Sequence, residues 1–296
     1  MARTKDKRSR TVWAPWRERN GRFSWFRAFV LAAVCAPGVA TIIQYYAGAF
    51  PVRPLTAIIH ATGFWTIRLL MIALAITPLR QALRWPKLVT ARRMIGVAAF
   101  CYVIAHLTFY AADNMFDLGH VASEIALRIY LTIGFAALLI LSALALTSTD
   151  GMVKRMGGPA WIRLHRWVYV AGVLGSIHFF MQAKLVVSEP LWVAGMFVWM
   201  MAYRLVLWTQ GPDRAGAIGT LAGLGVLATL ATGFGEAAYY HLASHAPFDR
   251  VLQANIHFSP TAIRPAWVVL AISAVIVLAA ALRQWQRQRQ AALASA

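Results

Sequence analysis

Cysteine and acidic residues are what this sequence has least of. Two cysteines occur in 296 residues, Cys35 and Cys101, and both lie inside apolar runs. That excludes a disulfide scaffold and the cysteine-rich zinc and iron–sulfur sites, and leaves both as small core residues. Only 10 residues are Asp or Glu against 29 Lys or Arg, giving a formal net charge of +19. Charged residues of all kinds make up 13% of the chain, too few to keep a soluble domain of this length dissolved. No serine, cysteine or threonine stands in a recognisable nucleophile–base pattern.

What is abundant is hydrophobic sequence. Hydrophobic residues are 60% of the chain and its mean hydropathy is positive. A helix needs about 20 apolar residues to cross the hydrocarbon layer. Runs of that kind fall near 28–48, 63–79, 94–112, 128–147, 162–181, 190–208, 215–235 and 265–282. The expected fold is therefore an all-α integral membrane protein of about eight transmembrane helices. It divides into a basic N-terminal segment (1–27), a six-span core (28–210) and a two-span extension (211–296) with an outer loop. The N-terminal segment followed by an apolar run is built like a signal peptide, but no small-residue cleavage site follows, so the first run is expected to remain as a span.

The excess of positive charge sits between runs rather than in a nucleic-acid-binding stripe. It recurs before the first span, after the second (Arg80, Arg84, Lys87, Arg92, Arg93), after the fourth (Lys154, Arg155, Arg163, Arg166) and in the tail (Arg283, Arg287, Arg289). The alternate loops are acidic or neutral, as at Asp113, Asp117 and Glu124. The pattern puts the basic loops and both termini on the cytoplasmic side of the membrane.

Ionisable side chains within spans are costly and draw attention as functional candidates. His106 lies toward the outer end of the third span, His165 near the inner start of the fifth and His178 toward its outer end. Spans three and five run in the same direction, so His106 and His178 come to similar depth. Two facing imidazoles suit the two axial positions of a haem iron. Ala98, Ala99, Ala105, Gly172 and Gly175 offer small surfaces for a macrocycle. A lone membrane histidine serves equally as an interhelical hydrogen-bond group, and proton relay is the competing chemistry, although the spans lack a chain of carboxylates.

His165 and His178 are thirteen residues apart, about 20 Å of helix rise but also about 220° of residual rotation. One straight helix would not show both on one face; a bend at Gly172 or Gly175 would reduce the mismatch. The positions thirteen and fourteen residues before His106 are Arg93 and Arg92, so an inner site lacks a second histidine. Those arginines suit haem propionate or another anionic cofactor. Arg68, inside the second span, is read as a propionate partner or a snorkelling side chain, and His60 as a further ligand or an interface residue. In the extension, His241 and His245 have the i, i+4 spacing of a metal pair, with no third ligand evident.

Several stretches, in order, resemble the haem-binding membrane subunit family of the periplasmic methionine-sulfoxide reductase system (MsrQ or YedZ), within the ferric-reductase-like transmembrane group. They are His-Ala-Thr-Gly at 60–63, Ile-Thr-Pro-Leu-Arg at 76–80, Ala-Arg-Arg-Met-Ile-Gly at 91–96 and Arg-Ile-Tyr-Leu-Thr-Ile-Gly at 128–134. Leu-Ala-Leu-Thr-Ser-Thr at 144–149, Trp-Ile-Arg-Leu-His-Arg-Trp-Val-Tyr at 161–169, Ile-His-Phe at 177–179 and Lys184 complete the set. The resemblance covers about residues 40–208. It implies a b-type haem protein, with His106, His165 and His178 as the haem-associated histidines. Electrons would come from membrane quinol and pass to a soluble molybdopterin reductase (MsrP-like) in the periplasm. It also implies flavin mononucleotide (FMN), whose phosphate Arg80, Arg92 and Arg93 could meet. Ile129 departs from the family's frequent proline, and residues 211–296 exceed its usual six spans. The alternatives are a ferric-reductase-like protein with another acceptor, and a haem-free transporter or assembly factor.

Overall fold

The computed structural model describes residues 14–18, 21–50, 52–184 and 186–295. Among these the chain forms twelve α-helices, one 3₁₀ turn (Pro86–Leu88) and an isolated bridge between Arg17 and Phe23. In order the helices are α1 (Trp25–Tyr46), α2 (Pro54–Ala82), α3 (Val89–Asp113), α4 (Leu118–Leu127), α5 (Ile129–Leu146) and α6 (Asp150–Met156). There follow α7 (Gly158–His165), α8 (Val168–Ala183), α9 (Ser188–Ala215), α10 (Ile218–Ser244), α11 (Phe248–Ile256) and α12 (Pro265–Ser295). Local chemistry sets many of the starts. Ser24, Asp117 and Thr149 accept the backbone N–H groups of Arg27, His120 and Met152 at the heads of α1, α4 and α6. Pro54 opens α2, where its missing N–H costs nothing. Ile129 takes the first position of α5, where a proline would also have been tolerated.

Among the described residues seven helices are long and apolar enough to cross a bilayer: α1, α2, α3 with its preceding 3₁₀ turn, α5, α9, α10 and α12. Apolar side chains such as Ile42, Leu139, Leu227 and Val275 are more than half exposed along them, a surface suited to lipid and not to water. The remaining expected span, the fifth, corresponds to α8, whose 16 residues rise about 24 Å. The start of α1 and the C-terminal half of α12 meet at one side chain, Trp85. Phe26 at the start of α1 packs on Trp85, with ring centroids 5.7 Å apart. Arg283 of α12 lies over the same indole, 5.4 Å from the ring centre.

The core is built around α2, which packs on α1, α3, α8, α9 and α12. Leu69, Leu70 and Leu74 of α2 are buried together with Trp199, Met200 and Tyr203 of α9. The α10–α12 hairpin lies along α9, with Val269 and Ala228 fully packed. In α1 the hydroxyl of Tyr102 enters the helix after Pro37, accepting from the Gly38 N–H at 2.7 Å and donating to the Val34 carbonyl at 3.0 Å. α9 is interrupted at Gly211 (φ 82°, ψ 177°), and Pro212 restarts it for a single turn.

Three features depart from the expected spans. α2 runs from Pro54 rather than from residue 63, because Thr62 and Thr66 return their hydroxyls to carbonyls four residues back and Arg68 is paired with Glu189 at 2.8 Å. The expected fifth span is broken at Arg166 and Trp167, so His165 ends α7 while His178 belongs to α8. α8 itself runs unbroken through Gly172 and Gly175, which supply no bend. The loops also hold helices of their own: α4, α6, α7 and α11.

Candidate functional site

His106 on α3 and His178 on α8 face each other with ring centroids 6.4 Å apart and planes at 86°. Each imidazole is anchored from behind. His106 Nδ1 lies 2.8 Å from the Ile59 carbonyl of α2, and His178 Nδ1 lies 2.8 Å from the Tyr130 carbonyl of α5. A carbonyl only accepts, so each Nδ1 carries the proton and each Nε2 is left with its lone pair. Hydrogen-bonding the distal ring nitrogen in this way fixes the tautomer that a metal-binding imidazole requires.

The approach of each ring depends on a glycine. A Cβ at Gly63 would stand 3.1 Å from His106, and one at Gly134 would stand 2.8 Å from His178 Nδ1. Gly63 is four residues after Ile59, and Gly134 four after Tyr130. Each histidine thus rests on one helical turn of a neighbouring helix, with an accepting carbonyl at one level and a missing side chain one turn on. Leu or Val at either glycine would fill the space the ring occupies.

The two imidazoles project into a cavity of about 430 Å³. Its walls are mostly apolar, with Phe64, Leu70, Leu138, Leu141 and Phe179 among them, and Gly175 and Ala171 thinning the α8 side. Phe64 and Phe179 meet edge to face, 5.2 Å between centroids. A metal–imidazole bond of about 2 Å on either side, plus roughly 1 Å from each nitrogen to its ring centre, sums to about 6 Å. The observed spacing therefore suits one metal ion held between the rings, and the apolar walls suit a flat hydrophobic ligand around it.

The other candidates are distributed differently. His60 lines the cavity mouth, its ring 6.2 Å from Phe64. Arg68 stands outside the lining; it pairs with Glu189 and lies 5.2 Å from the centre of the Trp65 ring. His165 is at the opposite, basic end. Its Nδ1 is 3.1 Å from the Trp161 carbonyl, its Nε2 is 3.4 Å from Ser148 Oγ, and Trp161 stacks on it at 3.7 Å. Burial, reinforced by the guanidiniums of Arg92 and Arg93, holds its pKa below the ordinary histidine value. Among the described residues the contacts of His165 are with Trp161 and Ser148 and include no second imidazole. Arg93 is paired with Asp150 at 2.6 Å. These surroundings do not offer two axial ligands for an inner haem, nor do they single out FMN. In the extension, His241 Nδ1 lies 3.0 Å from the Ala246 carbonyl and His257 Nδ1 lies 3.0 Å from the Gln253 carbonyl. Among the described residues no three His, Cys, Asp or Glu side chains gather for a metal ion. Cys35 and Cys101, expected as small core residues, are instead exposed on α1 and α3.

Sequence reasoning found the two facing histidines but not their seats. Gly63 and Gly134 lie at the ends of two of the quoted motifs, 60–63 and 128–134, and a glycine inside an apolar helix is itself a signal of close approach. The accepting carbonyls of Ile59 and Tyr130 carry no side-chain signature at all.

Residues 62–176 match the family described as ferric reductase like transmembrane component. The chain is 42% identical over 191 residues, 64% of its length, to the protein-methionine-sulfoxide reductase heme-binding subunit MsrQ of Rhodospirillum rubrum, covering 89% of that protein. It is 40% identical over 161 residues to the subunit of the same name from Caulobacter vibrioides, covering 54% of this chain and 77% of that protein. With the Xanthomonas axonopodis pv. citri protein of that name it shares 37% identity over 186 residues, 60% of this chain and 85% of that protein. No solved structure matches the chain. With the helical membrane fold, the paired histidines and this extent of identity, the chain belongs to the MsrQ family within the ferric-reductase-like transmembrane group.

Proposed function

We propose that this chain is the haem-binding electron-transfer subunit of a methionine-sulfoxide reductase system. The observation that carries the reading is the pair of Nε2 atoms left free by the carbonyls of Ile59 and Tyr130 and turned into one apolar cavity. His106 and His178 hold the iron of a b-type haem; the bound haem supplies one-electron redox chemistry without exchanging its protein ligands. Gly63 and Gly134 let the imidazoles approach, and Phe64, Phe179 and Leu138 keep water from the site. His165 lies at the other end and serves a step apart from that iron.

Electrons enter from membrane quinol and leave to a periplasmic molybdopterin reductase, which carries the sulfoxide chemistry on oxidised envelope proteins. This division follows because the chain itself offers no nucleophile or acid–base pair for that reaction. The basic end of the bundle faces the cytoplasm of the inner membrane, with both termini there. The cavity then lies toward the periplasmic half, nearest the acceptor.

An absorption spectrum of the detergent-purified protein, supplied with haem and recorded oxidised and dithionite-reduced, tests the assignment. A sharp reduced b-type band is expected in the wild type and in His165→Ala, and its loss in His106→Ala and His178→Ala. A folded wild type with no band, or a band that survives both of the last two substitutions, refutes it. Reduction of that band by an added quinol, and its reoxidation by the molybdopterin reductase, test the electron route.

A further inference from the structure

A second cavity, about 490 Å³, opens at the basic end of the bundle, remote from the histidines. Three guanidiniums line it: Arg80 at the end of α2, Arg84 in the turn after it, and Arg287 of α12. The one carboxylate on the wall is Asp213, in the last turn of α9 beyond the Gly211 break. Among the described ion pairs none includes Arg80, Arg84 or Arg287. Three like charges converging on one concavity repel each other unless an anion sits among them.

The walls are tied together rather than loosely apposed. Arg287 donates to the Arg84 carbonyl at 2.9 Å, and Arg84 holds a left-handed conformation, φ 47°. Gln284 of α12 donates to the Gly216 carbonyl at 3.3 Å, and Tyr203 donates to Gln81 Oε1 at 3.3 Å. The cavity therefore exists only where α2 and its turn, the α9–α10 junction and α12 come together. Residues of the extension beyond position 210 supply Asp213, Gly216 and Arg287.

We propose that this cavity binds a phosphate-bearing anion, and that in the membrane the anion is the headgroup of an acidic phospholipid. Guanidiniums match phosphate oxygens in charge and in forked geometry. Basic pockets between spans at a membrane face take such headgroups. The flanks of the same helices favour a lipid over a free ion. Trp208 and Leu205 of α9 are 83% and 57% exposed, and Leu282 and Trp285 of α12 are 50% and 55% exposed. Acyl chains can lie along these surfaces, with the tryptophans at headgroup level. The bound phosphate would bridge α2 to α12 and fasten the C-terminal hairpin to the core.

The experiment is a thermal-melting titration of the full chain in neutral detergent micelles doped with phosphatidylglycerol, with phosphatidylcholine, or with millimolar inorganic phosphate alone. Phosphatidylglycerol is expected to raise the melting temperature saturably, and phosphatidylcholine to leave it unchanged. Arg84→Ala/Arg287→Ala is expected to weaken the half-saturating phosphatidylglycerol fraction about thirtyfold, the scale of two basic contacts to a headgroup. Asp213→Asn, which removes the opposing charge and keeps all three arginines, is expected to tighten it. Helical circular dichroism at the wild-type value shows that the double variant is folded. An equal response in wild type and double variant, or no response to phosphatidylglycerol, overturns the site. An equal rise with inorganic phosphate alone overturns the lipid and assigns the arginines to a soluble phosphate.

Discussion

Gly134→Ala is the most direct trial of how the histidine site is built. The new methyl carbon would lie 2.8 Å from His178 Nδ1, 2.9 Å from Cε1 and 3.1 Å from Cγ. Carbon contacts prefer about 3.5–4.0 Å, so the imidazole must retreat by roughly 0.7 Å or α5 and α8 must part. Retreat lengthens the 2.8 Å bond to the Tyr130 carbonyl, worth about 1 kcal/mol, and overpacking adds about 1–3 kcal/mol. Alanine returns up to about 1 kcal/mol through its better helix propensity. The apo protein should therefore lose about 1–3 kcal/mol. Haem affinity should fall more visibly, by about 10–100-fold, because the ligand has lost the hydrogen bond that orients it. Gly63→Ala, where the approach to His106 is 3.1 Å, should do the same to a smaller degree. Gly96→Ala is the control: it lies on α3 with nothing within 4 Å and should stabilise by up to about 1 kcal/mol. The assay is haem titration of the apoprotein followed in the reduced visible spectrum, beside thermal melting without haem. Wild-type affinity and an unchanged spectrum in Gly134→Ala would refute the seat.

Other consequences are open to the same measurements. Arg264→Ala should destabilise the C-terminal hairpin by about 3 kcal/mol, since Glu236 is 1% exposed and its 3.0 Å partner would be gone. Adding Glu236→Gln should restore much of that loss in chemical denaturation; failure to do so would mean the pair is not coupled. Tyr102→Phe should cost about 1 kcal/mol, because two hydrogen bonds to α1 vanish while the freed Val34 carbonyl and Gly38 N–H can close on each other. Glu189→Gln should lower stability by less than about 1 kcal/mol, as the pair with Arg68 is 42% and 28% exposed. Glu189 lines the cavity while Arg68 does not, so the reduced haem band of Arg68→Gln/Glu189→Gln should match that of Glu189→Gln alone; a further shift would give Arg68 a part in the site.

The sequence made the histidine pair legible because depth is easy to read in a membrane protein. A span consumes a fixed length, direction alternates, and residues at matching places in parallel spans reach the same level. It left illegible whatever depends on contact between distant segments. Arg68 interrupts an apolar run, and only its pairing with Glu189, far along the chain, lets α2 continue unbroken from Pro54. The separation of His165 from His178 was half visible in the rotation arithmetic. The remedy lies outside α8: two turn residues, Arg166 and Trp167, place the histidines on different helices. The short helices α4 and α11 were hidden because an amphipathic stretch of ten residues or fewer offers too little periodicity to tell from a loop.

The two seats bear on how the site would work, because they are the same construction used twice. On α2 the pair is the Ile59 carbonyl and Gly63; on α5 it is the Tyr130 carbonyl and Gly134, at equal spacing and with equal 2.8 Å hydrogen bonds. Both imidazoles are thereby held in one tautomer by groups of the same kind, so neither ligand is more basic by virtue of its acceptor. Backbone carbonyls inside a helix are poor movers: displacing one means opening the turn that contains it. A side-chain acceptor could rotate to follow a change of charge, whereas these cannot. Dipoles fixed before the charge changes need little rearrangement when it does, which is what rapid electron transfer asks of its ligands. The glycines belong to the same argument, since they let the imidazole reach the fixed carbonyl rather than requiring the carbonyl to reach out. A site meant for ligand exchange or for proton relay would gain nothing from such rigidity, and that weighs for electron transfer over either.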